Sequence, residues 1–271
     1  MKLQDKLHEY RKSKKAILAT NFYNLETLQG ILRAAAEVQS PVILQLSKSS
    51  IEYIGLEMAI DMAHRGLKDF QVEGWVHLDH GDSPALTKRC LEVGFDSVMI
   101  DASENSFEEN VRISSEVVEQ AKKYGAHVEA ELGFVAKLGQ NQANNVFTQP
   151  DDAKRFVELT GVNSLAVAIG SAHGFYKEAP NLQIELLEKI RQVTNATLVL
   201  HGSSGIPSDM LINAVSHGIT KINLATEIKD AFMKTLRTQL STTSEIDLRK
   251  VFPVATNSVT ELVKAKLLIL K

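Results

Sequence analysis

Eight short, nearly continuous apolar runs recur along the chain, each followed by a stretch of helical character, and this alternation limits the fold more than any other feature. The runs are Ala16 to Phe22, Pro41 to Leu46, Val72 to Asp79, Asp96 to Asp101, Ala126 to Leu132, Ser164 to Ile169, Thr197 to Leu200 and Ile219 to Leu224. Between them lie segments such as Phe107 to Tyr124, with Val111, Val117, Val118 and Ala121 at helical spacing. Strands this apolar are buried on both faces, the mark of a parallel sheet covered by helices. Eight such units with no Pro/Gly/Ser-rich linker predict one α/β domain, a (β/α)8 TIM barrel over residues 1–271. Leu3, Leu7 and Tyr10 predict a short helix closing one barrel end. Val254 to Ile269 predicts an extra, amphipathic C-terminal helix that packs on a neighbouring subunit. The polar, Asn/Gln-rich stretch Gly133 to Gln149 predicts a loop over the mouth that acts as a lid.

Composition narrows the partners. The 271 residues are 44% hydrophobic, enough for one large core. Thirty basic residues against 33 acidic ones leave a formal charge of -3, which gives no pull toward nucleic acid or an anionic membrane. Cys90 is the single cysteine, so an intrachain disulfide and a cysteine zinc cluster are excluded and a cytoplasmic setting is expected. The basic N-terminal segment has no long apolar stretch and no small-residue cleavage site, so no signal peptide is expected. No apolar run approaches the roughly 20 residues of a membrane helix.

The chemistry gathers at strand ends. His80, Asp101 and His201 close three of the apolar runs, and His173 follows a fourth. A barrel of this type brings the carboxyl ends of its strands to one mouth, where catalytic residues sit. Three imidazoles there match a catalytic zinc site, which takes three protein ligands and keeps one position open. Asp79 precedes His80 and is placed either to move a proton or to orient a histidine. Asp101 and Glu131 either hold a second metal position or orient the histidines. His77 is expected in the lumen, and His8, His64, His127 and His217 in structural roles. Gly170-Ser171-Ala172-His173-Gly174, His201-Gly202-Ser203-Ser204-Gly205 and Asn223-Leu224-Ala225-Thr226 bring glycine amides and hydroxyls to the last three strands. Phosphate sites of such barrels form there, at a helix N-terminus. Taken singly, the glycines are turn residues, and Ser204 and Thr226 are helix caps.

The runs HLDHGDS, VMIDAS, EAELG, LAVAIGSAHGFYK, LVLHGSSGIP and KINLATEIKDAF resemble, in order and over nearly the whole chain, the class II metal-dependent fructose/tagatose-bisphosphate aldolases. The resemblance implies a zinc enzyme that reversibly cleaves a ketose phosphate into dihydroxyacetone phosphate and an aldehyde. It assigns His80, His173 and His201 to zinc and Asp79 to proton transfer. Asp101 and Glu131 match additional metal-site carboxylates. Gly174, Gly202, Ser204, Asn223 and Thr226 match the phosphate binders, and Asn21 lies in the segment matching a substrate-binding one. The resemblance also implies a monovalent cation (Na+ or K+) near the phosphate and a homodimer or homotetramer.

The chain departs from the family in four places. Its strand-five loop, Gly133 to Gln142, lacks a counterpart of the acidic residue that reprotonates the enediolate in relatives. The HGGSG-type turn reads His201-Gly202-Ser203-Ser204-Gly205, and the usual Phe-Asn-Val-Asn-Asn reads Thr20-Asn21-Phe22-Tyr23-Asn24. Thr256 stands where many relatives carry an arginine reaching the distal phosphate, with Arg249 or Lys250 as substitutes. A dianionic phosphate favours an arginine clamp. Its loss predicts a substrate-shifted member acting on a ketose 1-phosphate with another distal group, such as 6-deoxy-6-sulfofructose 1-phosphate. Two rival expectations are a zinc hydrolase on the same barrel, needing no phosphate cradle, and a non-catalytic partner subunit.

Overall fold

In the computed structural model, which describes residues 1–133, 135, 147–176, 178 and 180–271, eight parallel strands close into one barrel in sequence order. The strands are β1 (Ile17–Asn21), β2 (Val42–Ser47), β3 (Gly74–Gly81), β4 (Ser97–Ile100), β5 (His127–Leu132), β6 (Ser164–Val167), β7 (Thr197–Leu200) and β8 (Ile219–Leu224). Around them run α1 (Leu3–Ser13), α2 (Leu25–Val38), α3 (Lys48–Ile54), α4 (Leu56–Asp69), α5 (Pro84–Glu92) and α6 (Phe107–Lys122). The outer layer continues with α7 (Pro150–Thr160), α8 (Ile184–Val193), α9 (Ser208–Ser216), α10 (Thr226–Thr242) and α11 (Leu248–Ile269). The expected TIM barrel with an extra C-terminal helix is therefore the observed fold. Among the described residues, no helix is long and apolar enough to cross a membrane.

Successive strand residues face opposite ways, and this splits the apolar residues into two groups. Leu18, Val42, Leu44, Val76, Val98, Val128, Leu165, Leu198 and Ile222 face out and pack under the helices in the main core. Ile17, Ala19, Ile43 and Trp75 face in and meet Leu3 and Leu7 of α1, which plugs the amino-terminal end as the spacing of those leucines predicted. Above this plug the lumen turns polar, with Gln45, His77, Ser97, Glu129 and Lys221 all buried.

Element ends differ from expectation by a few residues, for local reasons. β6 stops at Val167 because Thr148 takes the Ala168 backbone: the Ala168 N–H donates to Thr148 Oγ1 at 2.8 Å and the Thr148 N–H to the Ala168 carbonyl at 3.0 Å. The last helix begins at Leu248, six residues before the predicted Val254. Asp247 caps it, and Pro253 lies inside it as its sixth residue, where it removes one backbone hydrogen bond. This helix packs on α2 within the same chain. A Cβ at Gly30 would lie 2.9 Å from the Thr256 carbonyl, so the two backbones touch. Thr256 is buried there, and its hydroxyl donates to the Phe252 carbonyl at 3.2 Å. Arg249 and Lys250 are paired with Asp247 at 2.9 Å and Glu245 at 2.8 Å. Most of the stretch read as a lid, 136–146 and Phe134, lies outside the described residues.

Candidate active site

A regular strand would send Asp79 into the barrel and His80 out toward the helices. His80 instead has a left-handed backbone (φ 49°), and the pairing of β3 with β4 shifts register between Leu78 and Gly81. Such a bulge re-aims one side chain. Asp79 and His80 thereby both reach the mouth, and His80 lies ring-to-ring with His173 (centroids 5.0 Å) and His201 (4.8 Å). His173 and His201 come from the loops after β6 and β7, with ring centroids 5.9 Å apart.

Each side of the cluster is held from behind. His80 Nδ1 bonds Asp101 Oδ2 at 2.8 Å, and His201 Nε2 bonds Glu129 Oε1 at 2.8 Å. The remaining nitrogens, His80 Nε2 and His201 Nδ1, face each other at 3.0 Å. Candidate ligand atoms of His80, His173 and His201 all lie within 4.8 Å of one another. Burial, reinforced by the other two imidazoles, holds His173 down to about 3, so its ring is neutral with a free lone pair. Burial also works downward on His80, but the Asp79, Asp101 and Glu131 carboxylates outweigh it and lift the ring to about 9. Three imidazole donors with carboxylate partners behind two of them fit zinc.

His80, Asp101 and Glu131 form a second group of this kind. Burial pushes Glu131 up to about 8, and the adjacent Asp101 carboxylate adds to the rise. Ser103 Oγ donates to Glu131 Oε1 at 3.3 Å, while Oε2 has no partner among the described residues.

Asp79 is surrounded by side-chain amides. Asn21 Nδ2 donates to Oδ2 at 2.9 Å, and Gln45 Nε2 and Asn223 Nδ2 donate to Oδ1 at 3.4 and 3.3 Å. Burial works to raise this carboxyl; the His80 and His201 imidazoles, the Asn21 amide and Lys221 outweigh it and hold it below the usual range. Asp79 is thus an ionised base inside the cavity. Asn21 Oδ1, Gln45 Oε1 and Asn223 Oδ1 are buried without partners among the described residues, leaving acceptors for a hydroxylated ligand.

Beside the imidazoles the last three loops form a cradle. Tyr176 ties two of them together: its hydroxyl accepts the Ala172 N–H and donates to the Gly202 carbonyl, both at 2.8 Å. Gly202 has φ 66°, and a Cβ there would lie 2.3 Å from the Ala172 carbonyl oxygen, so only glycine fits. Ser204 Oγ accepts the Glu227 N–H at 3.2 Å, which joins the loop after β7 to the first turn of α10 and leaves the hydroxyl proton for another acceptor. Asn21, Asp79, His80, His173, Gly174, His201, Gly202, Ser204, Asn223 and Thr226 all line one cavity of about 240 Å³. A larger groove of about 860 Å³ lies at the opposite barrel end, beneath α1 and away from this chemistry.

Sequence reasoning missed Gln45, Glu129, Lys221 and Lys229. Lys221 Nζ contacts Glu129 Oε2 at 2.7 Å and His77 Nε2 at 3.3 Å, so the lumen carries a buried ion pair directly beneath His201. The available signal was the polar residue at every second position in Glu129-Ala130-Glu131 and Lys221-Ile222-Asn223. His77 is in the lumen as expected, and His127 is buried against Ser164 Oγ at 2.7 Å.

Known proteins agree with this architecture. The chain is 41% identical over 255 residues to a fructose-bisphosphate aldolase of Geobacillus stearothermophilus, covering 92% of this chain and 89% of the relative. It is 38% identical over 262 residues to a fructose-bisphosphate aldolase of Giardia intestinalis, covering 87% and 81%. The crystal structure of the YdjI aldolase from Escherichia coli K12 superposes with a TM-score of 0.87 at 32% identity, covering 100% of this chain and 96% of that one. The family model for class-II fructose-bisphosphate aldolase matches residues 1–271, and with these relatives it shows that the chain is a carbon–carbon lyase of the class II fructose-bisphosphate aldolase family.

Proposed function

We propose that the protein is a zinc-dependent aldolase that reversibly cleaves a ketose 1-phosphate into dihydroxyacetone phosphate and an aldehyde, in carbohydrate breakdown. The observation that carries this reading is the convergence of three imidazoles on one point, beside an ionised Asp79 and a glycine-rich anion cradle. In this reading His80, His173 and His201 are the zinc ligands, and zinc bound there supplies Lewis-acid polarisation of the substrate ketone. Asp101 and Glu129 fix the orientation of His80 and His201. Glu131, with Asp101, is the alternative metal position.

Asp79 removes the proton from the hydroxyl on the carbon that becomes the aldehyde. The Asn21, Gln45 and Asn223 amides keep its carboxylate ionised and aimed. As the aldehyde carbonyl forms, the adjacent C–C bond breaks, and its electron pair remains on the three-carbon half as an enediolate. Gly174, Gly202, Ser204, Asn223 and Thr226 hold the 1-phosphate, so binding energy remote from the broken bond orients the reacting carbons. A monovalent cation (Na+ or K+) beside that phosphate belongs to the same reading.

The distal end of the substrate is the specific part of the proposal. Thr256 is buried in helix packing, and Arg249 and Lys250 are engaged with their own carboxylates. A sulfonate carries one negative charge and is served by neutral donors, so 6-deoxy-6-sulfofructose 1-phosphate is the leading candidate. A cytoplasmic homodimer or homotetramer completes the proposal. Exposed Leu240, Ile246 and Leu248 around the last two helices support self-association, which light scattering tests.

The test of substrate choice compares kcat/KM for fructose 1,6-bisphosphate, tagatose 1,6-bisphosphate and the sulfonate, because this ratio reports differential transition-state binding. The sulfonate should lead. A bisphosphate preferred by tenfold or more, about 1.4 kcal/mol of discrimination at the least, overturns the distal reading and makes Arg249 or Lys250 the clamp.

A further inference from the structure

The three imidazoles of the cluster are not held alike. His80 is bonded to the Asp101 carboxylate and His201 to the Glu129 carboxylate, each at 2.8 Å. His173 has no such partner. Among the described residues its ring meets the other two imidazoles and makes no hydrogen bond. A metal-binding histidine is ordinarily oriented by a carboxylate, carbonyl or water on its other nitrogen. His173 also lies on a loop rather than in a strand, so the barrel itself fixes it least.

The backbone leading into His173 is held instead. The Ala172 N–H donates to the Tyr176 hydroxyl, which donates in turn to the Gly202 carbonyl, both at 2.8 Å. One phenol thus bonds the residue before His173 and the residue after His201. The other end of Ala172 is pinned as well. Its carbonyl, which forms the peptide bond to His173, packs so close to Gly202 that a Cβ there would lie 2.3 Å from the oxygen. The tyrosine ring is seated beside Gly205, where a Cβ would stand 3.5 Å from Cδ2. Burial pushes the phenol up to about 12, outweighing the Ala172 N–H that favours its ionised form, so it stays protonated and keeps both bonds at neutral pH.

We propose that Tyr176 is the positioning residue of His173: its hydroxyl fixes the Ala172 backbone and so aims the one ligand imidazole that has no carboxylate behind it. A backbone lock does for His173 what Asp101 and Glu129 do for His80 and His201. Because the same hydroxyl reaches Gly202, it sets the spacing between two of the three ligands. The inference rests on the zinc reading above and adds to it a residue that touches neither metal nor substrate.

The test is Tyr176→Phe, which keeps the ring and its packing and leaves the Ala172 N–H and the Gly202 carbonyl without their partner. Circular dichroism and urea unfolding of the metal-free protein establish that the variant folds. Zinc affinity is read by competition with a chromophoric chelator, and ligand geometry by the visible spectrum of the cobalt(II)-substituted protein. Zinc binding should weaken by about 10- to 100-fold, the range found when an orienting partner of a ligand is removed. The cobalt bands should shift as the set of three imidazoles loosens. A hydroxyl that only staples two loops together would lower the stability of metal-free protein and leave both metal readouts unchanged. That result, or a variant indistinguishable from its parent, overturns the inference while the zinc site stands. If the parent binds neither zinc nor cobalt, the zinc reading falls and takes the inference with it.

Discussion

Replacing Lys221 by methionine should cost this protein a large part of its stability. The Lys221 ammonium and the Glu129 carboxylate meet at 2.7 Å in the lumen, with side-chain exposures of 1% and 0%. Water cannot replace a lost partner there. Glu129 would keep the His201 Nε2 hydrogen bond at 2.8 Å and the more distant His77 Nε2 at 3.9 Å. Breaking a buried pair from one side costs about 3–5 kcal/mol. That is a large share of a typical domain's roughly 5–15 kcal/mol. At about 2–4 °C per kcal/mol for a large domain, the melting temperature should fall by roughly 6–20 °C. Glu129→Gln should also be destabilising, because it strands the ammonium. The double variant Lys221→Met/Glu129→Gln removes both charges and should regain about 2 kcal/mol or more relative to additivity. The assay is urea unfolding of metal-free protein, followed through Trp75, the chain's single tryptophan, buried in the lower barrel. Competition with a chromophoric chelator should show zinc affinity of Glu129→Gln falling about 10- to 100-fold, since that carboxylate orients His201. A Lys221→Met protein within about 0.5 kcal/mol of its parent, the scatter of ordinary surface changes, would refute the reasoning.

Two further outcomes follow from the site and the lower barrel. Asp79→Ala should keep its zinc but lose roughly 10²-fold or more in kcat, as expected for a general base; a variant that loses zinc while turning over normally per bound ion makes Asp79 an orienting residue instead. Burial holds the His127 imidazole down to about 3, so the folded state resists protonation that the unfolded state accepts below about 6.5. The associated stability is present above pH 6.5 and is lost toward pH 3 at about 1.4 kcal/mol per pH unit. His127→Asn should flatten the stability profile of the zinc-loaded protein between pH 6 and 4, and an unchanged slope contradicts the assignment.

The barrel was legible because each strand is a short, mostly apolar run buried on both faces, and each intervening helix is apolar on one. Local pattern and global topology therefore agree. His80, His173 and His201 were legible because they interrupt or follow apolar runs, where a polar residue is conspicuous. The way Asp79 and His80 share one mouth was not legible. Neighbours in a strand point apart, and the left-handed turn at His80 that overrides this has no glycine to announce it. Lys221 and Glu129 were overlooked for a related reason. A charged residue inside a short apolar run reads as a strand edge unless the period of two is followed across several strands.

The central claim is that His80, His173 and His201 make a zinc site on which cleavage depends. The most direct measurement is release of dihydroxyacetone phosphate from a ketose 1-phosphate by chelator-treated protein, before and after zinc is returned, with metal content determined on the same samples. The account predicts no cleavage without metal, recovery in proportion to bound zinc, and loss of both zinc and turnover in His173→Ala. Full activity in metal-free protein, with a lysine trapped by borohydride in the presence of substrate, would contradict it.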